Sequence, residues 1–203
     1  MKLYYAPGTC SLASHIVLRE AGLDFTMDKV DIATKRSAEG KDFLAISPNG
    51  YVPALEIEPG LVLTEGPAIL QLLADRVPGA QLAPPSGTLE RYQLQSWLNF
   101  ITSEIHKAFS PLFKPQMPAD AKALFVEQLG QRFDVLERHL ARNDYLMGER
   151  YSIADAYLFV VTNWAGYLGI SLDKWTALNG FRARVAARPA VQAAMAAEGL
   201  KAA

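Results

Sequence analysis

Apolar and polar positions follow two different periodicities along the chain, and the change occurs near residue 80. Before it, short apolar runs end at Pro or Gly, which predicts strands, and stretches with helical spacing lie between them. The predicted strands are residues 2–5, 25–30, 52–57 and 61–64. The predicted helices are residues 11–21, a short one within 31–46, and one that begins near residue 65. This βαβαββα order predicts an α+β domain in which a parallel pair of strands adjoins an antiparallel hairpin.

After residue 87 the pattern contains helical stripes and no convincing strand. Prolines and glycines at residues 78–79 and 84–87 mark a linker. The apolar stripes recur every three or four positions, at Leu94, Leu98, Ile101 and Ile105, at Phe125, Leu129, Phe133, Leu136 and Leu140, and at Ile153, Tyr157, Val160, Val161, Trp164 and Leu168. We therefore predict two domains, residues 1–80 and 88–203, joined by a linker at 81–87, with the second domain an all-α helical bundle.

Composition and charge exclude several kinds of partner. Of the 203 residues, 50% are hydrophobic and 20% are charged, with 20 Lys and Arg against 21 Asp and Glu. This balance provides no field that would recruit nucleic acid or an anionic membrane. The apolar runs are too short for a signal peptide or a membrane span. One cysteine and three scattered histidines fit no usual metal site, and a lone thiol suits a reducing compartment, so a cytoplasmic protein without a metal is predicted.

The single cysteine is the first candidate for chemistry. Cys10 follows the first predicted strand and immediately precedes the helix that begins near Ser11. Exposed N–H groups and the dipole at a helix N-terminus stabilise a thiolate, which favours a reactive thiol. A lone cysteine is about as often a small buried apolar residue, and position alone leaves both interpretations open. With no second cysteine in the chain, dithiol exchange in a C-x-x-C motif is excluded.

Two features near the predicted hairpin suit a peptide ligand. Val52 and Pro53 open a strand, and a cis bond there would turn the N–H and C=O of Val52 outward to pair with a peptide backbone. The alternative is an ordinary proline at the start of a strand. Glu65 and Gly66 begin a helix, where a carboxylate often serves the helix dipole alone. They also offer an acceptor for an ammonium group and N–H donors for a carboxylate, so they match a zwitterion.

A polar face follows the linker, on the first helix of the second domain. It is either solvated or turned toward a cleft or a partner subunit. Its members, at helical spacing, are Asn99, Ser103, His106 and Lys107. Ser152 and Asp155 have the spacing of a capping box, which we interpret as structural. His15 and His139 are interpreted as ordinary surface or core histidines.

Taken in order, these segments resemble the glutathione transferase family, and specifically its bacterial beta class. The matching segments span essentially the whole chain: KLYY (2–5), PGTCS (7–11), NGYVPAL (49–55), LTEGPAI (63–69), WLNF (97–100), EIHK (104–107) and SIADAY (152–157). The resemblance implies a thioredoxin-like first domain that binds glutathione in a cleft beside the all-helical domain. It also implies a homodimer, a small hydrophobic electrophile as second substrate, and no cofactor, since glutathione is a co-substrate.

The resemblance assigns most of the glutathione contacts to the first domain. Cys10 is implied to lie beside the glutathione sulfur and to form a mixed disulfide with it. Val52, before a cis Pro53, is implied to pair with the backbone of the cysteinyl residue. Glu65 and the residue after it are implied to hold the γ-glutamyl end. That next residue is often Ser in the family, whereas Gly66 offers an N–H and no hydroxyl.

The remaining implied contacts come from other segments. Lys35 is implied to contact glutathione from a flexible stretch. His106, implied to be catalytic, and Lys107 line the side from which the electrophile approaches. Asn99 and Ser103 are implied to reach the glutathione site of the neighbouring subunit.

Three functions remain open from the sequence. In the first, the thiolate of glutathione attacks a small hydrophobic electrophile. In the second, Cys10 performs thiol–disulfide exchange, peroxide reduction or dehalogenation through a glutathionylated thiol. The third is a non-enzymatic scaffold or ligand-storage protein with the same fold. A scaffold is expected to lack the thiol or the Glu65 acceptor, and this chain keeps both.

Overall fold

The computed structural model describes residues 1–200, which form two compact units. The first unit contains Met1–Ala83 together with the described chain from Arg188 onward, and the second contains Pro84–Ala187. This differs from the predicted second domain, which ran to residue 203 and whose last three residues lie outside the described chain. The last helix packs against the first one instead. At its start, Arg188 donates to both carboxylate oxygens of Glu20, at 2.6 and 2.9 Å, which ties this segment to the first unit.

A five-stranded sheet forms the centre of the first unit. Its strands are β1 (Lys2–Tyr5), β2 (Thr26–Asp31), β3 (Arg36–Ser37), β4 (Ala54–Glu58) and β5 (Leu61–Thr64). They lie in the order β3-β2-β1-β4-β5, with β1 and β2 parallel and the other neighbours antiparallel. The predicted parallel pair and hairpin are confirmed. The strand β3 was not predicted, because two residues are too few to show an alternating pattern.

Helices pack on this sheet to complete the predicted thioredoxin-like arrangement. The helices of the first unit are α1 (Ser11–Glu20), α2 (Phe43–Ile46), α3 (Gly66–Arg76) and, from the end of the chain, α9 (Pro189–Ala197), with a 3-10 turn at Pro78–Ala80. Phe43 of α2 joins Tyr4 of β1 and Val30 of β2 in one apolar cluster. Since successive strand residues face opposite sides, the fully buried Leu3 faces away from that cluster. The helix α1 packs against β1, α3 and α9.

The second unit is helical, as predicted, and no strand element occurs between residues 84 and 187. Its helices are α4 (Leu89–Phe100), α5 (Lys107–Phe109), α6 (Ala119–Leu140), α7 (Ile153–Tyr167) and α8 (Thr176–Ala186). A 3-10 turn covers Ser110–Phe113. The first predicted stripe is buried along its length, at Leu94, Leu98, Ile101 and Ile105. Throughout residues 1–200, none of the helices has both the length and the apolarity that crossing a membrane requires.

Between α4 and α5 the chain winds as a π-helix, over Ile101–His106. This segment was not predicted, because its apolar stripe also fits a continuous α-helix. The hydroxyl groups of Thr102 and Ser103 donate back to the carbonyls of Leu98 and Asn99, at 2.8 and 2.9 Å. Such back-bonds compete with the backbone ladder and deform helices, and π turns are concentrated at functional sites. The π-helix ends at a predicted site residue.

Candidate functional site

The loop between β1 and α1 positions the thiol of Cys10. Cys10 directly precedes α1, is partly buried, and donates its S–H to the carbonyl of Val52 at 3.2 Å. The loop closes on the carbonyl of Ala6, which accepts from the N–H and the hydroxyl of Thr9 at 3.2 and 2.8 Å. The hydroxyl of Ser11 contacts the same carbonyl at 3.2 Å. The thiol therefore lies at a helix N-terminus, as predicted, and against the segment that the sequence linked to a peptide ligand.

A buried network that the sequence did not reveal holds this loop in place. The carboxylate of Glu198, which directly follows α9, accepts from the N–H of Gly8 at 3.0 Å and lies 2.9 Å from Nδ1 of His15. Arg19 donates from Nε to Nε2 of His15 at 2.9 Å. Because a guanidinium can only donate, Nε2 of His15 accepts and the ring proton lies on Nδ1. The side chains of His15 and Glu198 are fully buried, which confirms His15 as a core histidine.

The predicted cis proline is present, since the Val52–Pro53 bond is cis. Within residues 1–200 the N–H of Val52 has no hydrogen-bond partner, so a ligand can use it. Lys35 has a positive φ of 57° and donates from Nζ to the carbonyl of Gly50 at 2.8 Å. Its ammonium group therefore lies close to the chain that leads into Val52.

The start of α3 keeps its polar groups open. Glu65 has a φ of 68°, which L-residues rarely adopt, and its side chain makes no capping bond. The carboxylate of Glu65 has no partner elsewhere in the described chain, and Gly66 places the first N–H of the helix beside it. A Cβ atom at Gly66 would lie 3.9 Å from Cγ of Pro53, so the helix start adjoins the cis proline. Strained residues of this kind are concentrated at binding and catalytic sites.

In the second unit, His106 lies in an aromatic environment. Its Nδ1 is 2.6 Å from the hydroxyl of Tyr157, and its ring meets Tyr157 and Trp164 edge-on, at centroid distances of 5.8 and 4.8 Å. Burial, together with the positive charge of Lys107, lowers the pKa of His106 to about 4, so the ring is neutral at physiological pH. The sequence placed Tyr157 in an apolar stripe only. A buried tyrosine hydroxyl needs a partner, which is the signal that was missed.

The predicted polar face is divided in the structure. Asn99, Ser103 and Lys107 are exposed, whereas His106 is partly buried against α7. The physical reason is the wider π-helical turn, which displaces His106 from the spacing of a regular α-helix.

The chemistry of the first unit matches a thiol-containing peptide zwitterion. It combines a thiol, an unpaired backbone N–H, an open helix N-terminus and an unpaired carboxylate. Among residues 1–200, His, Cys, Asp and Glu side chains form no group of three or more that could hold a metal ion.

Comparison with known proteins agrees with this arrangement. Residues 8–76 match the glutathione S-transferase N-terminal domain family, and residues 100–189 match the C-terminal domain family. Glutathione S-transferase GstA of Escherichia coli O157:H7 is 47% identical over 201 residues, which cover 99% of this chain and 100% of that protein. A sphingomonad glutathione S-transferase complexed with glutathione has a TM-score of 0.95 at 47% identity, and a beta-class enzyme of Sphingomonas chungbukensis has 0.96 at 46%. Both alignments cover 99% of this chain and 100% of the other. The chain therefore belongs to the glutathione S-transferase family, and its likeness to a beta-class member agrees with the class that its motifs resemble.

Proposed function

We propose that this protein is a transferase that joins the sulfur of glutathione to small hydrophobic electrophiles. The observation that carries the proposal is the grouping of the Cys10 thiol, the N–H of Val52 and the open start of α3 within the first unit. A tripeptide that pairs its cysteinyl backbone with Val52 would place its ammonium group on Glu65. Its α-carboxylate would then accept from the N–H of Gly66, where the helix dipole favours a negative charge. Lys35 adds a positive charge for a carboxylate of the ligand.

The chemical task is to present glutathione as a thiolate. A free thiol has a pKa of about 8.5, so little of it is ionised at neutral pH. Lowering that value by about two, through hydrogen-bond donors and the dipole of α1, corresponds to about 2.7 kcal/mol. The thiolate attacks an electrophilic carbon, and a C–S bond forms as the leaving group departs with its electron pair. As proposed, glutathione is consumed as co-substrate and no cofactor takes part.

We assign the second unit to the electrophile and to assembly. His106 is proposed as a catalytic residue and Lys107 as a contact for the electrophile. Asn99 and Ser103, which are exposed, are proposed to contact glutathione bound to a second copy of the chain. Sedimentation velocity at micromolar concentration should therefore give a homodimer. A monomer with full glutathione affinity would contradict this role of Asn99 and Ser103.

Calorimetry and a rate assay together test the proposed function. Reduced glutathione should bind with saturable heat, and a dinitrophenyl halide should be converted to its thioether faster than in buffer with glutathione alone. Absence of heat and saturation at millimolar glutathione would overturn the proposal. Saturable binding without any rate enhancement across several classes of electrophile would favour the ligand-storage interpretation.

A second activity is favoured by the position of the thiol. Cys10 lies partly buried at a helix N-terminus and 3.2 Å from the carbonyl of Val52. Its thiolate would attack oxidised glutathione, form the Cys10–glutathione mixed disulfide and release one glutathione thiolate. Intact-mass measurement after incubation with oxidised glutathione should show one adduct. No adduct, or an adduct that persists in Cys10→Ala, would overturn this activity.

A further inference from the structure

The hydroxyl of Tyr157 and the imidazole of His106 form a close pair within the second unit. Tyr157 lies on α7 and is 2% exposed, and His106 is the last residue of the π-helical segment. The hydroxyl oxygen lies 2.6 Å from Nδ1, so Nε2 is the ring nitrogen that this contact leaves available. In the described chain, Nε2 of His106 has no hydrogen-bond partner.

The length of the contact indicates which of the two groups donates. An N–H···O bond is usually about 2.9–3.0 Å long, whereas hydroxyl donors form bonds of about 2.7–2.8 Å. The separation of 2.6 Å therefore fits a hydroxyl donor and a bare Nδ1. The hydroxyl of Thr102 also approaches Tyr157, but at 3.5 Å, and its own proton is used at 2.8 Å by the carbonyl of Leu98. Thr102 therefore does not compete with His106.

Packing holds the imidazole in this orientation. The ring stands at 78° to Tyr157 and at 75° to Trp164, which fixes its plane. The contact with the Tyr157 hydroxyl places Nδ1 on that side of the ring, since a half-turn would put Cδ2 there and lose the hydrogen bond. A neutral imidazole carries one proton. Because Nδ1 accepts from the hydroxyl of Tyr157, that proton lies on Nε2. His106 is neutral at physiological pH because its pKa is lowered to about 4.

We propose that Tyr157 is a positioning residue that fixes His106 in its Nε2–H tautomer, so that His106 presents a hydrogen-bond donor instead of a general base. The proposal rests on the catalytic role proposed for His106. A donor at Nε2 stabilises the negative charge that develops on the electrophile, whereas proton abstraction would need a bare Nε2.

The other two histidines provide internal references for the test. His15 carries its proton on Nδ1, because Arg19 donates to its Nε2. His139 carries its proton on Nε2, because that nitrogen lies 3.1 Å from the carbonyl of Leu146, which can only accept. A ¹⁵N–¹H correlation spectrum of the three imidazoles, with His106 assigned through His106→Gln, should show His106 matching His139 and differing from His15.

Tyr157→Phe removes the hydroxyl and keeps the ring. In this variant the Nδ1–H form of His106 should appear, and kcat should fall about tenfold while KM for glutathione stays unchanged. Tyr167→Phe, the matched control, removes an exposed hydroxyl from the same helix and should leave the His106 tautomer as in the wild type. An Nδ1–H signal in the wild type, an unchanged spectrum in Tyr157→Phe, or an unchanged kcat would overturn the proposal. The spectrum needs neither glutathione nor turnover, so a protein that fails to bind glutathione would overturn the proposed function while the tautomer is still decided.

Discussion

The starts of α3 and α7 each have a carboxylate, and the two carboxylates are used in opposite ways. At the start of α7, Asp155 is fully buried and accepts three hydrogen bonds. They come from the N–H of Leu146 at 2.8 Å, the N–H of Ser152 at 2.8 Å and the hydroxyl of Ser152 at 2.7 Å. At the start of α3, Glu65 is exposed, makes no capping bond and has a φ of 68°.

The comparison separates a structural helix start from a functional one. Orphan N–H groups at a helix N-terminus are normally satisfied by a cap, and α7 does this with a capping box. At α3 the donors and the carboxylate stay open and the backbone is strained, which costs stability and is retained when a ligand uses those groups. A carboxylate at a helix start therefore indicates function where its hydrogen-bonding capacity is left unused.

Removing the carboxylate of α7 should have the largest effect on stability. Asp155→Ala leaves the N–H groups of Leu146 and Ser152 without a partner in a buried site, so the free energy of unfolding should fall by about 3–5 kcal/mol. Urea unfolding measures this change. Glu65→Ala, the matched control at the other helix, should change it by less than about 0.5 kcal/mol. Equal losses of unfolding free energy in the two variants would show that the two carboxylates do not differ in their structural role.

The pH dependence of stability should sharpen the same distinction. Burial raises the pKa of Asp155 from 3.8 to about 6. Between these pH values the folded state binds more protons than the unfolded state. The contribution of Asp155 to stability therefore falls by about 3 kcal/mol as pH rises through this window, and it is constant at higher pH. His106 acts oppositely, because its lowered pKa makes stability rise with pH between about 4 and 6.5.

The wild-type curve alone would conceal these opposing contributions. The unfolding free energy of the wild type minus that of Asp155→Asn, measured from pH 4 to pH 7, isolates the effect of Asp155. This difference should decrease with rising pH and level off above about 6. A difference that is flat or rises would show that the three hydrogen bonds outweigh burial.

Local patterns were sufficient to predict most of the fold. The stripe ending at Ile105, the hairpin around Gly60 and the capping box at Ser152 each depend on residues close together in sequence. The motif around Val52 and Pro53 is equally local, and the cis bond is present. The hydrophobic periodicity and turn chemistry therefore identified the elements, and their order identified the architecture.

The features that were missed depend on distant residues or on hydroxyl groups. Glu198 reaches Gly8 across 190 residues, which no local pattern reveals. The π-helix contains a hydroxyl back-bond from Thr102 to Leu98, in a stripe whose apolar spacing fits an α-helix equally well. The hydroxyl of Tyr157 matters through its 2.6 Å approach to His106 and not through its periodicity. The strain at Glu65 comes from its positive φ, which the residue type does not predict.

Neutralising the carboxylate of α3 should weaken glutathione binding without weakening the fold. Glu65→Gln keeps the size and loses the charge, so the affinity for glutathione should fall about 10–100-fold, the value of a hydrogen bond to a charged group. Titration calorimetry measures the affinity, and urea unfolding should show no loss. Glu65→Gly should lose binding as well but gain up to about 1 kcal/mol of stability, because glycine adopts positive φ without strain. Undiminished affinity in Glu65→Gln would remove Glu65 from the site.

The smallest effect is expected from adding the hydroxyl that Gly66 lacks. A Cβ at this position meets Cγ of Pro53 at 3.9 Å, an ordinary contact, and its φ lies outside the left-handed region, so Ser fits without strain. The new hydroxyl would donate to the bound carboxylate beside the helix N–H, and the affinity for glutathione should rise about 3–10-fold. Gly66→Ala is the control, because it adds the Cβ without the donor and should leave calorimetric affinity unchanged. If Ala raises affinity as much as Ser, the gain comes from stiffening the helix start, and the open donors of α3 would not be what binds the ligand.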